Sequence, residues 1–110
     1  MTNVLRDALD ILHQRGWHQG DVESKRNGGV CILGACGLAA RSESEFGWAF
    51  AHEPEGKVLM DTIRELYPER YREHLDESEN IWGFNDNEET VQADVETVLD
   101  KAAVRWEERV

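Results

Sequence analysis

Apolar residues recur at helical spacing over the first fifteen positions of the chain. These apolar positions are Val4, Leu5, Ala8, Leu9, Ile11 and Leu12. Thr2 or Asn3 can cap the start of such a helix, and Gly16 can adopt the left-handed conformation that ends it. The pattern therefore predicts a helix over residues 3–15, followed by a loop over 16–29. In this loop Trp17 is expected to fold back onto the core, and residues 21–27 are expected to be exposed.

The stretch "VCILGACGLAA", residues 30–40, has no polar face. Its length suits a helix of about three turns, and a buried β-strand is the alternative because a short apolar run has no diagnostic period. Its glycines and alanines, among them Gly34 and Gly37, favour the helix, since small residues let neighbouring helices approach closely. We predict a central buried helix here, entered through extended backbone at Val30.

The second half of the chain divides at its two prolines. Pro54 suits the first position of a helix, and apolar spacing predicts that this helix runs over 54–67. Pro68 ends it and opens a short helix over 68–75. Residues 41–53 could be a strand or a helical turn, and the pattern does not decide between them.

The segment 76–89 is predicted to be a loop with apolar anchors, and a last helix is predicted over 88–108. We expect the anchors Trp82 and Phe84 to lie in the core. The resulting fold class is mostly α. We expect a single domain over residues 1–110, in which a small helical bundle surrounds the buried central helix of small residues. The pattern also allows a short β element. We expect the first helix, the helix at 54–67 and the last helix to wrap this central helix.

Charge is distributed unevenly along the chain. The net charge is −11, residues 1–40 sum to zero, and no Lys or Arg occurs between Arg72 and Lys101. Such a surface repels nucleic-acid phosphates and attracts a basic partner, although a solvated face that only aids solubility is the alternative. The candidate partner-binding residues are Glu73, Glu77, Glu79, Trp82, Glu88 and Glu89.

The cysteines and histidines form no recognisable chemical motif. Cys31 and Cys36 lack the Cys-x-x-Cys spacing and lie among apolar residues, which raise a thiol pKa and make it unreactive. We therefore predict a space-filling role for both cysteines, with no catalytic residue, no metal and no cofactor. No segment approaches the roughly 18 apolar residues of a membrane span. Two cysteines on one short segment do not make a disulfide framework, and the simplest prediction is a cytoplasmic protein.

Three sequence pieces carry a resemblance: "ALDILHQRGWHQG", "VCILGACGLAA" and "FNDNEETVQADVETVLDKAA". Together they resemble a family of small domains of unknown function found in actinobacteria and their bacteriophages. Its members combine a Gly-Trp-x-Gln-Gly turn, a Cys-x-x-Gly-Ala helix and a Trp/Phe-Asn-Asp turn before the last helix, followed by a threonine. Thr90 matches this threonine, unless the register places Val91 there. The resemblance covers both ends of the chain and implies a phage or bacterial setting, without an assigned reaction. The residues that carry the motifs are Trp17, Gln19, Cys31, Gly34, Asn85 and Asp86. We expect the Asn-Asp pair to form a turn or cap for the last helix.

These observations lead to a first hypothesis: a non-enzymatic phage-type accessory protein, in the cytoplasm of the bacterial host. It would bind and modulate a basic host protein through its acidic half, without binding nucleic acid or a membrane. One alternative is an acidic nucleic-acid mimic that blocks a DNA-binding protein. Another is a small enzyme that uses Cys31, a histidine and Asp86. A homodimer is also open, because small domains gain stability by burying more surface.

Overall fold

The computed structural model describes residues 3–20, 24, 26–40 and 48–109. The first helix, α1 (Val4–Arg15), confirms the predicted element. Its N-cap is Asn3, whose side chain accepts hydrogen bonds from the backbone of Leu5 and Arg6. It ends at Gly16, whose φ of 86° lies in the region that favours glycine.

The central apolar stretch forms helix α2 (Ile32–Ala39), which confirms the helical prediction. The backbone before it is extended, and Trp17 and Val30 form an isolated parallel β-bridge. Trp17 is packed against the core, as predicted. Of the loop expected to be exposed, Ser24 is buried, whereas residues 21–23 and 25 lie outside the described residues.

The middle of the chain contains a short helix, α3 (Trp48–Ala51), and the predicted α4 (Pro54–Leu66). Of the two alternatives for 41–53, the helical turn is therefore correct at α3, and residues 41–47 lie outside the described residues. A Cβ on Gly56 would lie only 2.3 Å from the Phe50 carbonyl oxygen. Glycine thus allows the tight packing of α3 on α4.

The predicted short helix over 68–75 is wrong in length, because only Pro68–Arg70 is helical, as one 3₁₀ turn. The predicted loop over 76–89 is also wrong. It contains a regular helix, α5 (Glu77–Asp86), with Asp76 as its N-cap. The Asp76 carboxylate accepts a hydrogen bond from the backbone of Glu79, which satisfies one of the free N–H groups at the helix start.

The last helix, α6 (Gln92–Glu108), begins four residues later than predicted. The reason is a turn in which the backbone of Thr90 donates to the Asn87 carbonyl and the backbone of Glu89 donates to the Asn87 side chain. Glu88 and Glu89 consequently lie in this turn, and not in the first turn of the helix.

The helices enclose one cluster of buried apolar residues. Helix α2 packs against α1, α3 and α5, whereas α6 packs mainly against α1 and α4. Of the three helices predicted to wrap α2, α1 packs closely against it, whereas the prediction is wrong for α4 and α6. Helices α3 and α5 take their places. The mostly α-helical fold class is confirmed. Within the described ranges there is no β-sheet beyond the single bridge, and no helix is long and apolar enough to span a membrane.

Candidate functional site

Helix α5 joins the motif residues on one side to the acidic surface on the other. Its inward side buries Ser78, Asn80, Ile81, Phe84 and Asn85. Its outward side exposes Glu79, Trp82 and Gly83, with Asp86 partly exposed. The residue spacing follows helical periodicity, so each side forms a continuous stripe along the helix.

The side chain of Asn85 is completely buried and lies at a junction of three segments. Its Oδ1 accepts hydrogen bonds from Trp17 Nε1 at 2.8 Å and from the backbone N of Ile32 at 2.9 Å. Its Nδ2 donates to the His18 carbonyl at 3.1 Å and to Asp86 Oδ1 at 3.0 Å. The amide therefore uses its full capacity of two donated and two accepted bonds.

The residues beside Asn85 reinforce the same junction. Gln19 Nε2 donates to the carbonyls of Asn85 and Asn87, each at 3.0 Å. Asp86 Oδ1 also accepts from the backbone N of Gly20 at 3.0 Å. The Gly-Trp-x-Gln-Gly turn is thereby held on the last turn of α5 by side chains on both partners.

The three motif pieces that are distant in sequence thus meet at one place, which we call the Asn85 junction. It comprises Trp17, Gln19, Asn85, Asp86 and the start of α2 at Ile32. The prediction that the Asn-Asp pair caps or forms a turn before the last helix is wrong: both residues belong to the last turn of α5. Their partners are separated from them by 53 to 68 positions in the sequence.

Cys31 forms the N-cap of α2, a role that the sequence analysis missed. Its Sγ accepts a hydrogen bond from the backbone N of Gly34 at 3.3 Å. Burial raises the pKa of the Cys31 thiol, and the nearby Asp86 carboxylate raises it further. Burial also raises the pKa of Cys36. The environment therefore does not activate either thiol as a nucleophile at neutral pH.

A second buried asparagine, Asn80, holds the other end of α5. Its Oδ1 accepts from the backbone N of Arg72 at 2.8 Å, and its Nδ2 donates to the carbonyls of Arg72 and Leu75. Asn80 thereby closes the loop that precedes α5. Buried asparagines near both ends of α5 thus bond the helix to neighbouring segments.

A partly buried arginine connects the same region to α6. Arg70 donates to Thr90 Oγ1 at 3.0 Å and to Asp94 Oδ2 at 3.1 Å, and its guanidinium lies 4.6 Å from the centroid of the Tyr67 ring. Thr90, which matches the motif threonine, is buried, whereas Val91 is exposed. This favours Thr90 as the structural counterpart of that threonine. Burial raises the pKa of Tyr67, and the neighbouring Asp94 carboxylate adds to the effect.

The candidate partner-binding residues lie on and beside the outward side of α5. Trp82 is 38% exposed, so the prediction that it is a core anchor is wrong, whereas Phe84 is buried as predicted. Glu79 shares the exposed stripe with Trp82, and Glu73 is exposed in the loop before the helix. Glu77 is half-buried, and His52 Nδ1 lies 3.2 Å from its Oε2.

Glu88 and Glu89 are exposed just beyond the opposite end of α5. A helix of this length spans roughly 15 Å, so the acidic residues flank Trp82 from two ends. We use the name α5 face for the exposed stripe together with the acidic residues at both ends of the helix. It comprises Glu73, Glu77, Glu79, Trp82, Gly83, Asp86, Glu88 and Glu89.

Other acidic residues of the cation-free interval are paired across the fold. Asp94 contacts Arg70, Glu96 contacts His13, and Asp100 contacts Arg6. In the ranges that the structure describes, Glu79, Glu88 and Glu89 form no such ion pair. Within the cation-free interval, the described carboxylates of α6 at Asp94, Glu96 and Asp100 are thus paired, whereas those of Glu79, Glu88 and Glu89 on the α5 face are not.

The fold also contains a groove outside the α5 face. A groove of about 690 Å³ between α4 and the end of α6 has Lys57, Arg105 and Arg109 beside Asp61 and Glu108. Because the lining carries both positive and negative side chains, it does not favour a ligand of either charge. Arg105 is also already bonded to Thr62 and Glu65. No cluster of His, Cys, Asp and Glu able to hold a metal ion occurs in the described portion of the chain.

Comparison with protein families assigns the chain to a group. A family model described as "Family of unknown function (DUF6197)" matches residues 1–105. The chain belongs to this family. No curated protein and no solved structure matches it. The resemblance to a small domain family of unknown function is thus confirmed, and the DUF6197 match extends through the middle of the chain as well as both ends.

Proposed function

We propose that this DUF6197 protein is a non-enzymatic, bacteriophage-type accessory protein that binds and modulates a bacterial host protein through the α5 face. The observation that carries the proposal is the exposure of Trp82 among carboxylates on a helix whose inward side is held by Asn80 and Asn85. A partly exposed tryptophan supplies affinity, and the surrounding negative charge supplies selection and steering of a basic partner.

The hydrogen-bonded support of α5 strengthens this proposal. A surface that is already ordered before binding loses little conformational entropy when the partner docks. The hydrogen bonds of Asn85 and Asn80 keep the exposed stripe in one orientation. The Asn85 junction is therefore proposed to be a structural device that presents the α5 face, and not a reaction centre.

The test is affinity capture of the tagged protein from a bacterial host lysate at low and at moderate salt, followed by mass spectrometry. We expect one host protein to be enriched at both salt concentrations. The charge reversals Glu79→Lys and Glu88→Lys should deplete it and flatten the salt dependence of binding. The control Glu108→Lys places the same charge change at an exposed position at the end of α6, and should leave the enrichment unchanged.

The outcomes separate the hypotheses. If only basic proteins are captured and all are lost at moderate salt, the α5 face is a non-specific attractor and the proposal is wrong. Equal depletion by all three reversals would also contradict it, because net charge and not the α5 face would then determine binding. Displacement of the captured protein by duplex DNA, at its DNA-binding site, would favour a nucleic-acid mimic instead.

A further inference from the structure

Gly83 occupies an unusual position for a glycine. It lies in the interior of α5, on its exposed side, directly after Trp82. Its φ is not positive, in contrast to Gly16, Gly20 and Gly28. Among residues 3–20, 24, 26–40 and 48–109, a Cβ added to Gly83 would meet no atom within 4 Å. Neither its backbone conformation nor its packing against the described residues therefore requires glycine here.

Gly56, in contrast, is a position where the packing of this chain requires glycine. A Cβ on Gly56 would lie within 2.6 Å of three backbone atoms of α3. Gly83 has open space instead, although glycine is the poorest helix former apart from proline. The missing side chain leaves a notch in the exposed stripe between Glu79, Trp82 and Asp86. Such a notch gives a second molecule room to approach the helix backbone.

We infer that Gly83 is the contact point at which a cationic polypeptide segment of the partner crosses α5. The inference rests on the proposed function and specifies how the α5 face binds. The segment's backbone approaches at Gly83, where no side chain keeps it away. Its Lys or Arg side chains contact the exposed Trp82 ring and the carboxylates of Glu79 and Asp86. Charge complementarity selects this occupant, because the face carries no cation of its own and the interval from Glu73 to Asp100 lacks Lys and Arg.

The test compares folding and binding in the variant Gly83→Ala. The added methyl group meets open space in the free protein, so the variant should melt about 2–6 °C higher than the wild type. It should bind a cationic probe peptide composed of Arg, Lys, Ala and Leu about tenfold more weakly, measured by fluorescence anisotropy. The control Val104→Ile adds one carbon at an exposed position of α6 and should alter neither quantity appreciably.

Nuclear magnetic resonance with the same peptide should locate its contacts. The largest amide shifts are expected in α5, and a peptide with Gln in place of Arg and Lys should produce none. Unchanged peptide affinity in Gly83→Ala, or a lower melting temperature, would overturn the inference while leaving the capture experiment intact. A wild-type dimer that Gly83→Ala converts to a monomer in light scattering would overturn it in favour of a second copy of this chain.

Failure of the proposed function has a different signature. In that case the lysate experiment enriches no protein dependent on Glu79 and Glu88. If that experiment succeeds but the cationic peptide does not bind, the α5 face has a partner and the assignment of a cationic segment is wrong.

Discussion

The inward and outward sides of α5 use polar residues in opposite ways. On the inward side, Asn80 and Asn85 are buried, and their amides bond to loops and to α2. On the outward side, Glu79 and Gly83 contribute nothing to the packing of this chain that the structure reveals. Polar residues on the first side are therefore explained by the fold, whereas the exposed carboxylates of the second side are free to serve solvation or the binding of a partner.

The difference shows how stability and function can be separated within one helix. Changes on the inward side should lower the free energy of unfolding, because they leave buried donors and acceptors without partners. Changes on the outward side should alter binding with little loss of stability. The following predictions test this contrast.

The largest effect is expected for Asn85→Ala. The substitution removes the acceptor of Trp17 Nε1 and of the Ile32 backbone N, and it leaves a cavity. We expect the free energy of unfolding to fall by about 2–4 kcal/mol, measured by urea denaturation. Asn87→Ala is the control, since within the described part of the chain the Asn87 side chain accepts one bond, from the backbone of Glu89 near the surface. Equal losses in the two variants would contradict the special role of the junction.

Arg70→Met should have the next largest effect. It removes the bonds to Thr90 and Asp94 and leaves a half-buried carboxylate without its cation. The expected loss is about 1–3 kcal/mol in the same denaturation experiment. Arg72→Met, at a neighbouring exposed position, should change stability by less than about 0.5 kcal/mol. A loss as large for Arg72 as for Arg70 would show that the effect comes from total charge.

A smaller, pH-dependent effect is expected for Asp76→Ala, which removes the N-cap of α5 at a cost of about 1 kcal/mol at neutral pH. The Asp76 pKa is lowered, first by the hydrogen bond from the Glu79 backbone and then by that from Ser78. The cap's ionic contribution is therefore complete above the unfolded pKa and is lost as the pH falls through the lower folded pKa. Asp76→Asn retains a capping side chain without this titration.

The corresponding measurement is the denaturation midpoint of wild type and both variants between about pH 6 and pH 3. The difference between wild type and Asp76→Ala should shrink towards the acidic end, and Asp76→Asn should lose less stability on acidification than wild type. A difference that grew as the pH fell would be evidence against the capping assignment.

The smallest effect has the opposite sign. Gly83→Ala on the outward side should increase the free energy of unfolding by about 0.5–1 kcal/mol, because alanine has the higher helix propensity and the site has room for it. Thermal denaturation measures this gain. The contrast with Asn85→Ala is sharpest here. Truncating a side chain to alanine on the inward side should lower stability, whereas adding a methyl group on the outward side should raise it. If Gly83→Ala lowered the free energy of unfolding instead, packing would also restrict the residue on the outward side of α5.

The sequence predicted α1, α2, α4 and most of α6, because their signals are local. Asn3 and Gly16 bound α1, and Pro54 opens α4. Helix α5 was missed because Ser78, Asn80 and Asn85 interrupt the apolar period of its buried side. The pattern Asp76-x-x-Glu79 was the available signal, since it places an N-capping carboxylate before the helix.

The sequence by itself determined the mostly helical fold class, the buried position of the cysteine-containing helix and the accumulation of negative charge after Arg72. These properties depend on composition and on residues within a few positions of each other. Only the tertiary structure decided that Asn85 is buried at a junction and that Trp82 is 38% exposed. The physical reason is that a buried amide requires partners, and three of the four partners of Asn85 come from residues 53 to 68 positions away. The distant hydrogen bonds of Asn85 orient its side of α5 towards the core.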